Sequence, residues 1–433
     1  MKISVIGAGY VGLITGLGFA EIGHQVMCFD HDLEKINKLQ SKVMPIFEAG
    51  AEKLLQKHEN KNICFTANFE KAVEFSNIVF LCINLDTNKN SAKNLHFLYT
   101  LIVKIAGLQT GDTFIVMKST APVGTHTSLV KKLNLTKKSK IHLTTNPEFL
   151  SEGEGIKNFL YPHRIIIASD SKMALRKIRN IYRPLITKKS PLIEMKPSSA
   201  EMTKHAANSF LATKISFINE ISRICEHSEA DIADVQKGLG LDPRIGSKFI
   251  NPGLGYGGSC LPKDVSALIQ LAKSKNDNLH LLKSVKKTND LQMLNISLKI
   301  KSTIKNNKMQ QITIWGASYK PGTDDIRNSS AVIVIKSLLT LGVKINVFDP
   351  KALDNLKNMN LTGSLSYFNE PYASLKNSEF LIILTDWQQF LSVDMRRMKK
   401  IMKRHFIFDA RNIYSPTVMR KLGFHYNCIG RQP

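Results

Sequence analysis

Acidic residues are scarce in this 433-residue chain: 35 Asp and Glu stand against 60 Lys and Arg, a formal net charge of +25. Cysteine is sparse too, six residues (28, 64, 82, 225, 260 and 428) with no CxxC pair and no Cys/His cluster at ligand spacing. A structural metal site is therefore not expected, and in a reducing compartment these residues are thiols. No apolar run approaches the roughly 18 residues that span a bilayer, so no membrane partner is expected. The apolar N-terminus carries Gly7, Gly9 and Gly12 where a signal peptide would carry leucine, and a cytoplasmic location is the expectation. Tandem repeats and low-complexity tracts are missing as well. The basic excess is dispersed, its densest runs being Lys131 to Lys140 and Arg396 to His405. That dispersal reads as solvated lysine-rich faces, with no nucleic-acid partner, and gives a field that attracts phosphate-bearing small molecules.

What is present is a globular composition, 43% hydrophobic, in a chain long enough for two or three domains. Lys2 to Ile6 reads as a strand, Tyr10 to about Ile22 as a helix and Gln25 to Phe29 as a second strand. Apolar runs at 78–83, 113–117, 141–145 and 164–169 follow, separated by helical stretches. Strands alternating with helices imply a parallel, doubly wound α/β sheet. From Ser198 to about Ala230 the pattern becomes one long helix without Pro or Gly, a spine between domains. Further helices are expected from Pro262 to about Lys275 and from about Leu281 to Ile304. The α/β pattern then restarts, and "ITIWGASYKPG" and "GVKINVFDPK" echo the opening "ISVIGAGYVG" and "GHQVMCFDHD". The expected architecture is two Rossmann-like domains, residues 1–195 and 306–433, joined by a helical middle domain, 196–305, that contains Cys260.

Gly7-Ala8-Gly9-Tyr10-Val11-Gly12 is a GxGxxG placed directly after a strand and opening a helix, and Asp30 closes the next strand. The glycines permit a tight turn and close approach of backbone to a pyrophosphate, and the helix N-terminus attracts the anion. An acid at Asp30 suits the ribose hydroxyls of NAD and repels the phosphate of NADP. The second copy, "GASYKP", lacks the third glycine and offers Lys320, a loop better suited to a different phosphate-bearing ligand.

In "NPGLGYGGSCLPKDV" (251–265) a glycine-rich loop delivers Cys260 to a helix start marked by Pro262. Helix N-termini and adjacent lysines bring a thiol from about 8.5 into the range of roughly 3.5–7.5. Cys260 thus reads as a nucleophile rather than a small core residue. With a nicotinamide cofactor, such a thiolate suits oxidation of an alcohol through an aldehyde, a thiohemiacetal and a thioester to an acid. Candidate helpers are Lys204 and Asn208, four apart on the spine helix, Glu148 and Glu152 just beyond a strand, and Lys118, Ser119 and Thr120 after another.

The stretches "VIGAGYVGL", "KSTAPVGT", "NPEFLSEG", "YPHRIII", "SSAEMTKHAANSFLATKISFINEI", "DPRIGSKFINPGLGYGGSCLPKDV", "GASYKPGTDDIRNSSA" and "FDARNIY" run in one order over nearly the whole chain. Together they resemble the UDP-glucose/GDP-mannose dehydrogenase family, on its UDP-glucose branch. The resemblance implies that Cys260 forms the thioester, that Lys204 and Asn208 stabilise the oxyanion, and that Asp264, Thr120 and Glu148 organise water and proton transfer. It implies NAD contacts from Gly7, Gly9, Val11, Gly12, Asp30, Lys35, Thr120, Glu152, Lys263 and Arg327. For the nucleotide sugar it implies Glu148, Phe149, Leu150, Ser151, Glu152, Lys204, Asn208 and Arg244. Phe249, Ile250, Asn251, Pro252, Gly253, Gly257, Lys320 and Arg411 complete that set. It also implies UDP-glucose as substrate and a homodimer formed through the spine helix. GDP-mannose oxidation, or binding of NAD or a nucleotide sugar without catalysis, are the rival readings. The chain departs from the family at Ile83-Asn84-Leu85-Asp86-Thr87, where a "VGTP"-like turn is usual. It departs again at "FEAGA" (47–51), where "YEPGL" is usual.

Overall fold

The computed structural model describes residues 1–85, 91–134 and 140–432. Asp86 and Thr87 of the divergent turn lie outside the described residues. Two compact units make up the chain, Met1–Ala207 and Asn208–Pro433.

The first unit is built on a parallel six-stranded sheet. Its strands are β1 (Lys2–Ile6), β2 (Gln25–Phe29), β3 (Ile63–Thr66), β4 (Ile78–Leu81), β5 (Thr113–Met117) and β6 (Ile141–Thr145). They lie in the order β3-β2-β1-β4-β5-β6. Both faces are buried: Ile3, Val5, Phe80 and Phe114 enter one core, while Ile6, Val79, Leu81 and Ile115 enter the other. Two buried faces are why these strands read as continuous apolar runs rather than alternating ones. A short parallel pair, β7 (Ile165–Ile167) and β8 (Leu192–Glu194), completes the unit's strands.

The second unit repeats the plan. Strands β9 (Gln311–Trp315), β10 (Lys344–Phe348), β11 (Leu365–Phe368), β12 (Phe380–Ile383), β13 (Phe406–Asp409) and β14 (His425–Cys428) lie in the order β11-β10-β9-β12-β13-β14. The echo in the sequence is thus an echo in topology. The helices Leu261–Ser274 and His280–Asn306 precede this sheet, close to the expected bounds.

The spine helix runs Pro197–Cys225 and contains the boundary between the units. It stops before the expected Ala230. Asp231 accepts from the backbone N–H of Ala233 at 2.8 Å and so caps a separate helix, Ile232–Leu241. That helix carries Gly238 and Gly240, which hid it from a propensity reading. The five cysteines other than Cys260 sit among apolar neighbours in the sequence and so read as core residues; Cys28, Cys82 and Cys225 are buried, but Cys64 and Cys428 are only half-buried. Both of these sit on edge strands, β3 and β14. Among the described residues no helix is long and apolar enough to cross a membrane, and no group of His, Cys, Asp and Glu could hold a metal.

Candidate active site

In the first unit the loop after β1 fits a dinucleotide. Gly7 has φ of +97°, and a Cβ there would lie 2.8 Å from the Cys82 carbonyl oxygen. A Cβ on Gly12 would lie 1.8 Å from the carbonyl of Gly7, so only glycine lets helix and turn close together. Gly9 caps the helix Tyr10–Glu21 through its backbone alone and faces open space, and the first turn holds no acidic residue. An anion can therefore approach uncapped N–H groups. Val11, half-buried, follows in the first turn. Asp30 accepts from the Ala8 N–H at 2.9 Å, the Asp32 N–H at 3.1 Å and Lys35 Nζ at 2.9 Å. Burial pulls its carboxyl upward, but Lys35 and the two N–H groups outweigh that and hold it below the usual range. The side chains present fit NAD.

Beyond β5 and β6 the remaining candidates of this unit converge on the spine helix. Lys204 Nζ donates to Glu148 Oε1 at 2.7 Å, both side chains being buried, and Glu148 Oε2 accepts from the Leu150 N–H at 2.6 Å. Arg164 stacks over the Phe149 ring at 3.5 Å. Ser151 and Glu152 follow on the same loop, half-buried, as is Thr120. Two residues of the helix that sequence reasoning missed fix the Thr120 loop. Glu201 accepts from the N–H groups of Gly124 (2.6 Å) and His126 (2.8 Å), and His205 Nε2 lies 2.9 Å from the Ala121 carbonyl. The only hint was their spacing, three residues before Lys204 and one after it. Burial raises the Glu201 carboxyl.

Lys118 is buried beneath these loops. Its Nζ donates to Asn146 Oδ1 at 3.2 Å and to the Tyr182 hydroxyl at 3.3 Å. Burial pushes its ammonium down to about 8, against smaller upward pulls from Cys82 and Glu148. In the turn that departs from the family pattern, Leu85 is buried in the core and the Ile83 carbonyl accepts from Ser119 Oγ at 2.7 Å. The altered residues are thus partly used for packing.

In the second unit Cys260 is the N-cap of the helix Leu261–Ser274, with Pro262 in the first turn, as expected. It is the one exposed cysteine of the six. Its sulfur lies 3.6 Å from Ser259 Oγ, and its carbonyl accepts from the Asp264 N–H at 2.9 Å. Asp264, fully buried, accepts from Asn208 Nδ2 at 2.5 Å. Nucleophile, carboxylate and amide are therefore tied into one turn of helix and its neighbour. By contrast, burial pushes the Cys82 and Cys428 thiols up to about 12, where they stay protonated.

The nucleotide-sugar candidates of this unit mostly assemble. Gly253 donates its N–H to Asn219 Oδ1 at 2.8 Å, and a Cβ there would lie 3.1 Å from an Arg411 guanidinium nitrogen. Arg411 donates through Nε to the Leu384 carbonyl at 2.8 Å and through Nη2 to that of Tyr319 at 3.4 Å, the residue before Lys320. A Cβ on Gly257 would lie 2.4 Å from the Asn328 carbonyl, next to Arg327. Ile250 and Pro252 are buried beside Gly253, whereas Asn251 is exposed and accepts from Gln236 Nε2. Phe249 holds φ of +65°, a strained value for an aromatic residue, at the loop's entrance. Lys263 follows Pro262 in the first turn of the Cys260 helix, half-buried. Two arginine candidates pair with a nearby acid. Arg244 is exposed and forks onto Asp242 (2.6 Å), and Arg327 forks onto Asp325 (2.7 Å).

The chain resembles known proteins over nearly all of its length. Residues 1–186 match the UDP-glucose/GDP-mannose dehydrogenase family, NAD binding domain; 198–291 match its central domain and 313–416 its UDP binding domain. The UDP-glucose 6-dehydrogenase of Rickettsia prowazekii (strain Madrid E) is 37% identical over 435 residues, covering 100% of both chains. UDP-glucose 6-dehydrogenase TuaD of Bacillus subtilis (strain 168) is 38% identical over 99% of this chain and 93% of its own. A solved structure of a UDP-glucose dehydrogenase from the hyperthermophilic archaeon Pyrobaculum islandicum superposes with a TM-score of 0.88 at 29% identity, covering 100% of this chain and 98% of that one. The chain belongs to the UDP-glucose/GDP-mannose dehydrogenase family, with NAD as cofactor, an NAD-binding domain at its start and a UDP-binding domain at its end.

Proposed function

We propose that the protein oxidises the primary alcohol of UDP-glucose to the carboxylate of UDP-glucuronate, in four electrons, through a covalent intermediate on Cys260. The observation that carries this reading is the exposed Cys260 at a helix N-cap, tied by its carbonyl to Asp264, which holds Asn208. Bound NAD supplies the hydride acceptor for each of the two oxidations. The alcohol loses a proton and a hydride to give an aldehyde, and the Cys260 thiolate adds to its carbonyl carbon as the carbonyl oxygen takes up a proton. The resulting thiohemiacetal loses a second hydride and its hydroxyl proton to leave a thioester. Water then adds to that carbonyl, the carbon–sulfur bond breaks, and carboxylate, thiolate and two protons are released.

Lys204, whose ammonium donates to Glu148, supplies the positive charge that stabilises an oxyanion. Asn208, which donates to Asp264, adds an amide donor for that oxyanion. Asp264, Glu148 and Thr120 serve the water and proton transfers, and Arg411 and Lys320 take the diphosphate of the substrate. We assign the protein to the cytoplasm, where Cys260 stays reduced. We also assign it to a homodimer, because Phe210, Phe217 and Ile224 recur every seven residues on the spine helix and are 66%, 50% and 60% exposed. A parent chain that sediments as a monomer would remove that assignment, and a Phe210→Lys/Phe217→Lys variant that still sediments as a dimer would move the interface off this stripe.

The test is NADH formation by the full chain with UDP-glucose and with GDP-mannose. Preference for UDP-glucose is expected, and Cys260→Ser is expected to lower acid formation at least about a thousandfold, about 4 kcal/mol of barrier. A Cys260→Ser enzyme as active as the parent, or a clear preference for GDP-mannose, overturns the reading.

A further inference from the structure

Glu48 is a buried carboxylate in the "FEAGA" stretch, and its partners come from two distant parts of the first unit. Its Oε2 accepts from the Tyr10 hydroxyl at 2.9 Å and from the Gly153 N–H at 2.6 Å, and its Oε1 accepts from the Gly155 N–H at 2.7 Å. Tyr10 is the first residue of the helix that follows the glycine turn. Gly153 and Gly155 flank the start of the helix Gly155–Leu160, directly after Ser151 and Glu152. Glu154, the N-cap of that helix, makes no side-chain cap, so Glu48 satisfies the helix start from more than a hundred residues away. The fit is tight: a Cβ on Gly155 would lie 2.2 Å from the Tyr10 hydroxyl, and Gly153 holds φ of +82°. Burial, followed by the Glu48 charge, keeps the Tyr10 phenol protonated and therefore a permanent donor.

We propose that Glu48 is a positioning residue for the reaction: through Tyr10, Gly153 and Gly155 it locks the loop carrying Glu148 and Glu152 to the helix that holds the cofactor. It touches neither ligand. A carboxylate suits the place because all three partners are donors and it has lone pairs for each. Glutamine would turn an NH2 toward at least one of the N–H or O–H groups, leaving that donor without an acceptor and letting the loop shift. A misplacement of about 1 Å costs on the order of a hundredfold in rate.

This inference rests on the dehydrogenase reading and is tested on the full chain with Glu48→Gln, Tyr10→Phe and the double variant. Glu48→Gln is expected to lower kcat about tenfold or more, while the NADH dissociation constant, from calorimetric titration, rises only about two- to threefold. Tyr10→Phe, which removes one of three bonds, is expected to fall between parent and Glu48→Gln. The double variant is expected to be no slower than Glu48→Gln alone, since both changes act on one linkage. Should Glu48→Gln not fold, Glu48→Asp takes its place, with kcat expected down by the same order. A folded variant whose kcat stays within twofold, or a loss of kcat that only tracks the unfolded fraction, overturns the proposal. So does additivity of the two single changes. If the parent does not oxidise UDP-glucose, the function reading fails by itself. Hydrogen exchange at residues 151–156 then decides this inference: about tenfold faster exchange in Glu48→Gln with bound NADH supports it, and unchanged exchange sinks it.

Discussion

The two sheets share one strand order yet use the same topological places for opposite purposes. At the end of the second strand each has an aspartate that reaches back to the loop after the first strand: Asp30 to Ala8, and Asp349 to Ala317. Asp30 takes two backbone donors and Lys35, and the helix begins directly after the loop, at Tyr10. Asp349 is wholly consumed. It accepts from the N–H groups of Ala317, Ser318, Lys351 and Ala352, from Ser318 Oγ and from Trp387 Nε1. In that copy Pro321 stands where Gly12 stands in the first, and the helix does not start until Ser330. One loop leaves a bare helix end that fits a dinucleotide; the other spends its acid on shaping itself. The fifth strands differ in sign: Lys118 follows β5, whereas the buried Asp409 ends β13 and accepts from the Tyr426 hydroxyl at 2.6 Å and from the N–H groups of Arg411 and Ile413. Asp409 thereby fixes the backbone of Arg411.

The same substitution at both acids separates their two roles. Asp349→Asn turns an NH2 toward several donors and is expected to lower stability by about 3 kcal/mol. Urea unfolding of the full chain reads this directly. An Asp30→Asn variant that loses as much stability would erase the distinction.

A smaller effect is expected at Lys118, with a definite pH signature. Its folded pKa of about 8 lies below the ordinary lysine value of 10.5. The unfolded chain therefore binds more protons between those values, and stability rises with pH across that window. The cost of the buried ammonium is present in full below about pH 8 and gone above 10.5. Lys118→Met is expected to be more stable than the parent by about 2 kcal/mol at pH 7, an advantage that shrinks as pH rises toward 10. A constant advantage at every pH would show that Lys118 is not a strained cation.

The smallest effect is on the cofactor side. Asp30→Asn is expected to weaken NADH binding about tenfold, roughly 1.4 kcal/mol, and to narrow the preference for NADH over NADPH, with little change in unfolding. Titration with both nucleotides checks it, and unchanged affinities would detach Asp30 from the cofactor.

Much of this was legible in the sequence because the signals were local. Strands buried on both faces leave unbroken apolar runs, and Pro262 after Cys260 marks a helix start without reference to anything distant. The illegible residues act over long separations. Glu48 and Glu201 look like surface charges, and nothing in their neighbourhoods announces that Gly153, Gly155, Gly124 and His126 are their partners. The half-buried Cys64 and Cys428 failed the expectation for a similar reason, since edge position is set by sheet order and not by flanking residues. Arg244 and Arg327 were named by sequence likeness, and the local forks onto Asp242 and Asp325 could not be read from that likeness.

The central claim is a four-electron oxidation through Cys260, and counting NADH per UDP-glucose consumed tests it most directly. Two NADH and one UDP-glucuronate per sugar are predicted, with no free aldehyde accumulating. One NADH per sugar, with the aldehyde as final product, would contradict it.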